Sequence, residues 1–516
     1  MSYPVPPEGL PQDPSESFTK KQPVALTHRD QVGIGLATLL SVLWVFCADG
    51  NLETARFSLE FFTIGGIGLT LCMLTTLVVL VFLQGGLKRL GRTARMLLAA
   101  TALTAIVPSI SANHDLRLAN ALVLLMLYML DFLLISGCSE HIVLTMRGGV
   151  ASVSFFCRHQ FAHVGVAYRA LRKKPIASEC IRAIIIGIAL AGCILLVVLP
   201  LLFSADEVFA RIVDTFFDWN LESGGVWLVR IIRIAVIVPI TFSLLYAVIH
   251  ALGKDCALGE KLNKPQISNV LIATTLVLID AVYALFVLVQ ITYLFGGVEA
   301  SALHGGYAQY ARSGFFELVV VTAINLALTL LALAVRKREE CTAISSTLLY
   351  VLLVMTLVML VSAAQRMTLY TVEFGLSMLR AMTYMGMVAI LALVIIAAVR
   401  IHKPDVPVFK LGVSCLSVIW LVFALSNPAA RIAAFNVDGY LGGSLRQIDV
   451  EYLYELGPDS VPALRKLASI SGTDAAKEEA RMCLDGMSCL YGQTPWSYRT
   501  IREMIPNYFP VYPSEQ

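Results

Sequence analysis

The chain of 516 residues is 57% hydrophobic and only 15% charged, with a mean hydropathy of +0.76. Too few polar residues exist to cover a surface in water, which excludes an ordinary soluble globule and points to a membrane protein. The formal net charge of +3 is close to neutral, so basic character must be read from where the charges fall, and they are segregated along the chain.

The first thirty or so residues are polar and rich in proline, and the first apolar run follows too late for a secretory n-region, so it reads as an uncleaved first span. Runs of apolar residues long enough for a hydrocarbon core of about 30 Å fall near 32–48, 61–83, 96–112, 118–138, 183–203, 227–249, 269–295, 315–335, 344–364, 381–399 and 409–426. This predicts an all-α polytopic helix bundle of about eleven spans. The run at 96–112 is short and ends near Pro108 and Asn113, which leaves a re-entrant pair as the alternative there.

Every second loop is basic. Lys20, Lys21 and Arg29 precede the first span, Lys88, Arg89, Arg92 and Arg95 follow the second, and Arg336, Lys337, Arg338, Arg400 and Lys403 continue the pattern. The alternate loops carry Asp49, Glu53 and Glu60, then Asp206, Glu207, Asp214, Asp218 and Glu222, then Glu299. By the positive-inside rule the amino terminus faces the cytoplasm, and an odd number of spans places the carboxyl tail outside.

The organisation that follows is a polar cytoplasmic segment 1–31, a first group of spans 32–138, a basic cytoplasmic loop 139–182, a main bundle 183–426 and an extracytoplasmic helical tail 427–516. Within the basic loop, Cys157, His159 and His163 have helical metal-ligand spacing, but no fourth ligand is near in sequence and no metal is assigned. The tail holds Cys483 and Cys489, six positions apart; on one unbroken helix they point apart and cannot bridge, whereas a break at Asp485-Gly486 would let them close.

Three blocks carry a resemblance. The first is Arg366 to Arg380, with Leu369-Tyr370, Phe374-Gly375-Leu376 and Leu379-Arg380. The second is Tyr307-Ala308-Gln309-Tyr310-Ala311-Arg312-Ser313-Gly314-Phe315-Phe316-Glu317-Leu318, running into a helix that holds Asn325. In the third, Asn436 to Leu464, an Asn near a Tyr precedes Asp-Val-x-Tyr-Leu and then Asp-Ser-Val-Pro-Ala-Leu. In this order they resemble bacterial multi-pass membrane proteins grouped as domains of unknown function 4153 and 4173. The resemblance implies a fold and supplies no activity, and Asp131 and Asp280 belong to none of the blocks.

Ionisable residues within spans are the default functional candidates. Asp280 lies near the middle of an otherwise uncharged span, with Tyr283 on the same face. Arg230 and Arg233 open the sixth span on its outer side, where the orientation rule would not place two cations. Arg366, Tyr370, Glu373, Ser377 and Arg380 repeat at steps of four, three, four and three, and the charged residues among them, with Arg312 and Glu317, extend a charged belt along the outer boundary. Either the belt lines a cavity whose arginines hold a phosphate or carboxylate while Asp280 carries a proton, or it pairs between helices to fix their register.

No Gly-rich phosphate loop, His-Glu-x-x-His or nucleophile elbow is present, so neither catalytic residues nor a cofactor is assigned. The basic loops are explained by topology and leave no nucleic-acid footprint. The expected function is a transporter or lipid-handling protein for an anionic lipid or small anionic solute. The alternative is a non-catalytic membrane scaffold or envelope sensor whose tail binds a protein partner, and a membrane-embedded transferase is a weaker third.

Overall fold

The structure is a computed structural model that describes residues 27–48, 65–136, 143–145, 153, 156–157, 160–166, 224–250, 267–295, 315–335, 342–469, 475–492, 499–501 and 504. Among the described residues ten apolar helices form the body: α1 (His28–Ala48), α2 (Ile67–Leu83), α3 (Arg92–Ile110), α4 (His114–Ile135), α5 (Gly224–His250), α6 (Asn269–Phe295), α7 (Phe315–Val335), α8 (Thr342–Phe374), α9 (Met378–His402) and α10 (Val408–Leu425). Four helices follow in the tail: α11 (Pro428–Leu441), α12 (Val450–Glu455), α13 (Val461–Ala468) and α14 (Ala475–Gly492). Among the described residues nine helices are long and apolar enough to cross a membrane, and α2, at 17 residues, is a shorter apolar one. The chain is therefore an all-α multi-pass membrane protein. The segment expected at 183–203 lies outside the described residues.

The helices pack in two groups. In the first, α1 lies antiparallel against α5 and α2, and α2, α3 and α4 follow side by side. Gly33 lets α1 and α5 approach, since a Cβ there would stand 3.1 Å from Ile249 Cδ1. Polar side chains staple this group: Gln84 donates to Ile135 O, Tyr128 Oη to Met73 O at 2.6 Å, and Thr101 Oγ1 to the fully buried Asp131 at 2.5 Å. At one end His250 Nε2 meets Asp30 at 2.6 Å. In the second group α8 is central, flanked by α6, α7 and α9. Helix α10 joins the two groups by packing on α9 and on α3.

Pro108 shows how this joint is specified. A proline has no N–H to give, so the carbonyl four residues earlier, that of Thr104, loses its helical donor. Asn120 of α4 supplies one, Nδ2 to Thr104 O at 3.1 Å, and its Oδ1 accepts from Trp420 Nε1 of α10 at 3.1 Å. One asparagine thus repairs α3 and ties three helices. Helix α3 runs from Thr93, which accepts from Lys410 Nζ at 2.7 Å at one end, to Ser111 under the tail at the other. It is a single helix of 19 residues, long and apolar enough to cross a membrane.

Contacts at the helix ends set the direction of each. Arg29, Lys88, Arg89, Arg92, Arg95, Arg400, Lys403 and Lys410 gather at one end, while the tail docks at the opposite end. Successive described helices alternate in direction, with one exception: α4 ends at the basic end, by Gln84, and α5 also ends there, by Asp30. Helix α4 therefore ends, and α5 begins, at opposite ends of the bundle. In packing, α5 belongs with α1–α4, although the long basic loop separates them in sequence.

Candidate functional site

Helix α8 has 33 residues, about 50 Å at 1.5 Å per residue, against a hydrocarbon core of about 30 Å. Its last turns, from Arg366 to Phe374, lie at the tail end of the bundle. The helix stops at Gly375, whose φ of +74° suits glycine and where a Cβ would stand 2.8 Å from Asn436 Oδ1. Arg380, in the first turn of α9, reaches back to cap α8. It donates to Phe374 O at 3.1 Å and to Gly375 O, and its guanidinium lies 4.1 Å over the Tyr370 ring. A cation at a helix C-terminus meets the negative end of the dipole, and the aromatic face adds to the attraction.

The tail clamps this corner. Asn436 accepts from Leu376 N and donates to Leu376 O, both at 2.8 Å. Tyr452 Oη accepts from Met378 N at 2.7 Å, satisfying an amide that starts α9. Burial pushes the Tyr452 phenol above its usual value, against the opposing effect of that amide bond, so it stays protonated. A second clamp is Asp459, which is 2% exposed and accepts from Ser111 Oγ at 2.7 Å, Ala112 N at 3.1 Å and Asn427 Nδ2 at 2.9 Å. Residues 499–501 complete the contact, with Ile67 N donating to Arg499 O and Ile501 N to Ser109 O. The first and third sequence blocks thus meet in space as one helix corner and the tail residues that hold it.

Beside this corner a cavity of about 310 Å³ opens between α6, α7 and α8. Tyr283 and Phe286 line it from α6, Glu317, Leu318 and Val321 from α7, and Met359 and Arg366 from α8. Val282, also in the lining, is 66% exposed, and Leu278 and Leu285 on the same helix are 71% and 65% exposed. The cavity therefore opens onto the apolar outer surface of α6. One turn below Tyr283, Asp280 is 6% exposed, and neither carboxylate oxygen has a hydrogen-bond partner among the described residues. Asn325, fully buried, places its Nδ2 4.0 Å from Met359 Sδ.

Of the residues singled out in the sequence, Arg366 and Glu317 are brought into one cavity, and Tyr370 and Arg380 into one cap. Glu373 is exposed, and among the described residues no ion pair joins it to Arg366. Arg230 and Arg233 belong to the first group, the former 5.1 Å over the Phe46 ring of α1, whereas Asp280 belongs to the second. Arg312 and His159 lie outside the described residues; His163 packs its ring 5.0 Å from that of Tyr246. Helix α14 runs unbroken through Gly486, and Cys483 is a free thiol.

Sequence reasoning did not assign roles to Asn436, Tyr452 and Asp459, although their place in the third block was the available signal. Phe286 and Met359 carried none, being apolar residues in apolar helices. No curated protein and no solved structure matches the chain. A family model described as "Domain of unknown function (DUF4153)" matches residues 98–467, a span that takes in all three blocks. On that match the chain belongs to the DUF4153 family.

Proposed function

We propose that this protein binds an amphiphile bearing an anionic group, with the head at Arg366 and the apolar body along α6. The observation that carries this reading is the cavity itself, which has apolar and aromatic walls, one arginine at the boundary level and a mouth on the lipid-facing surface. At about 310 Å³ it is at the small end for ligand sites. It accommodates a head group or a short stretch of chain, and the rest of the molecule lies outside it, on the exposed apolar face of α6. Transport or sensing of that amphiphile, with Asp280 as the proton-carrying group, is the extension of this reading.

The proposed setting is the bacterial cytoplasmic membrane, crossed about eleven times, with the amino terminus inside and the tail outside. It is supported by the basic residues at one end, the tail at the other, and α4 ending and α5 beginning at opposite ends of the bundle. The scaffold alternative is favoured by a different observation, the hydrogen-bonded docking of the tail on both helix groups, which would present α14 as a fixed surface to a protein partner.

Native mass spectrometry of the purified chain separates these readings. A retained phospholipid that is lost on Arg366→Gln and kept on Arg233→Gln is expected for the cavity reading. Equal lipid retention by wild type and Arg366→Gln would remove it and leave the scaffold.

A further inference from the structure

The cavity is not lined by cations alone. Glu317 of α7 lines the same cavity as Tyr283 and Phe286 of α6 and Arg366 of α8, and it has no ion-pair or hydrogen-bond partner among the described residues. A carboxylate with two aromatic rings is the arrangement that attracts an ammonium group, by charge and by the ring quadrupole. Arginine attracts a phosphate, with a fork geometry that suits its oxygens. A purely anionic head group is drawn to Arg366 and repelled by Glu317; a head group that carries phosphate and ammonium together is attracted by both.

Resting on the amphiphile reading above, we infer that the cavity selects a zwitterionic phospholipid of the phosphoethanolamine type over an anionic one, with its phosphate at Arg366 and its ammonium between Glu317, Tyr283 and Phe286. The apolar body lies on α6, where Leu278, Val282 and Leu285 face outward.

The test uses the full chain in detergent, titrated with phosphatidylethanolamine or phosphatidylglycerol of identical acyl chains, and reads the midpoint of thermal unfolding and the lipid dissociation constant. The expected wild-type result is tighter binding of phosphatidylethanolamine by about fivefold, the equivalent of one partly exposed ion pair. Glu317→Gln should bind both lipids alike, and Arg366→Gln should lose the stabilisation by both. Phosphatidylglycerol binding as tightly as phosphatidylethanolamine in the wild type, or a preference that survives Glu317→Gln, overturns the zwitterion assignment and leaves the amphiphile reading standing. Equal stabilisation of wild type and Arg366→Gln by both lipids overturns the two together. Free phosphoethanolamine should leave the midpoint unchanged; if it stabilises as well as the lipid does, a soluble ligand replaces the lipid.

Discussion

Single polar side chains hold the tail to the bundle, and each sits where a helix end would otherwise leave backbone groups without partners. Asn436 serves both the N–H and the C=O of Leu376, so Asn436→Ala should destabilise by about 2 to 3 kcal/mol, two hydrogen bonds lost with the backbone groups left half-buried. Tyr452→Phe removes one bond, to Met378 N, and should cost about 1 kcal/mol. Denaturation midpoints of the two variants check the order, and equal midpoints would remove the distinction. Cys483 reports the packing of the tail differently. Burial, then the nearby Glu479 and Glu451, push its thiol above the usual range. Its alkylation rate should therefore still be rising above pH 8.5, the midpoint region of an ordinary cysteine. A rate that levels off at or below that pH would show the thiol to be unshifted. Since α14 is unbroken, mass analysis under non-reducing denaturing conditions should find no Cys483–Cys489 disulfide; a bridged species would require the helix to break at Gly486.

At the scale of elements, the corner between α8 and α9 is the piece whose polar spacing stood out in the sequence, yet its role was legible only in part. A single helical face through Arg366, Tyr370, Glu373, Ser377 and Arg380 would have required α8 to continue, and Gly375 ends it instead, leaving Ser377 as the N-cap of α9. Arg380 consequently belongs to the next helix and folds back on Tyr370. The apolar runs were readable because length and hydropathy fix a span on their own, whereas Asn436 and Asp459 act through partners 60 and 348 residues away, a relation that local pattern does not encode. Two substitutions test the corner. Gly375→Ala must place a Cβ against Asn436 at φ +74° and should destabilise by about 1 to 3 kcal/mol; a neutral effect would mean that the turn relaxes freely. In a double-mutant cycle, Arg366→Gln and Glu373→Gln should add to within about 0.5 kcal/mol, because Glu373 is exposed and forms no ion pair with Arg366 among the described residues. Coupling beyond that would reinstate a connected belt.

The described part of the molecule is polar along its axis, with a cluster of cations at one end, a hydrogen-bonded helical cap at the other, and a cavity near the cap that opens onto the apolar face of α6. Its orientation is testable with single cysteines in a background without native ones: Glu478→Cys should react with a membrane-impermeant thiol reagent on intact cells and Lys403→Cys only after permeabilisation. The reverse pattern would invert the topology and place the cavity at the cytoplasmic leaflet. The claim that bears most on function is that the cavity between α6, α7 and α8 is occupied by the head of a membrane amphiphile. A density map of the protein in native lipid tests it directly. Head-group density is expected within hydrogen-bond distance of Arg366 and Glu317, continuous with an acyl chain along Val282 and Leu285. Ordered lipid elsewhere around the bundle, with the Arg366 cavity holding none, would contradict it.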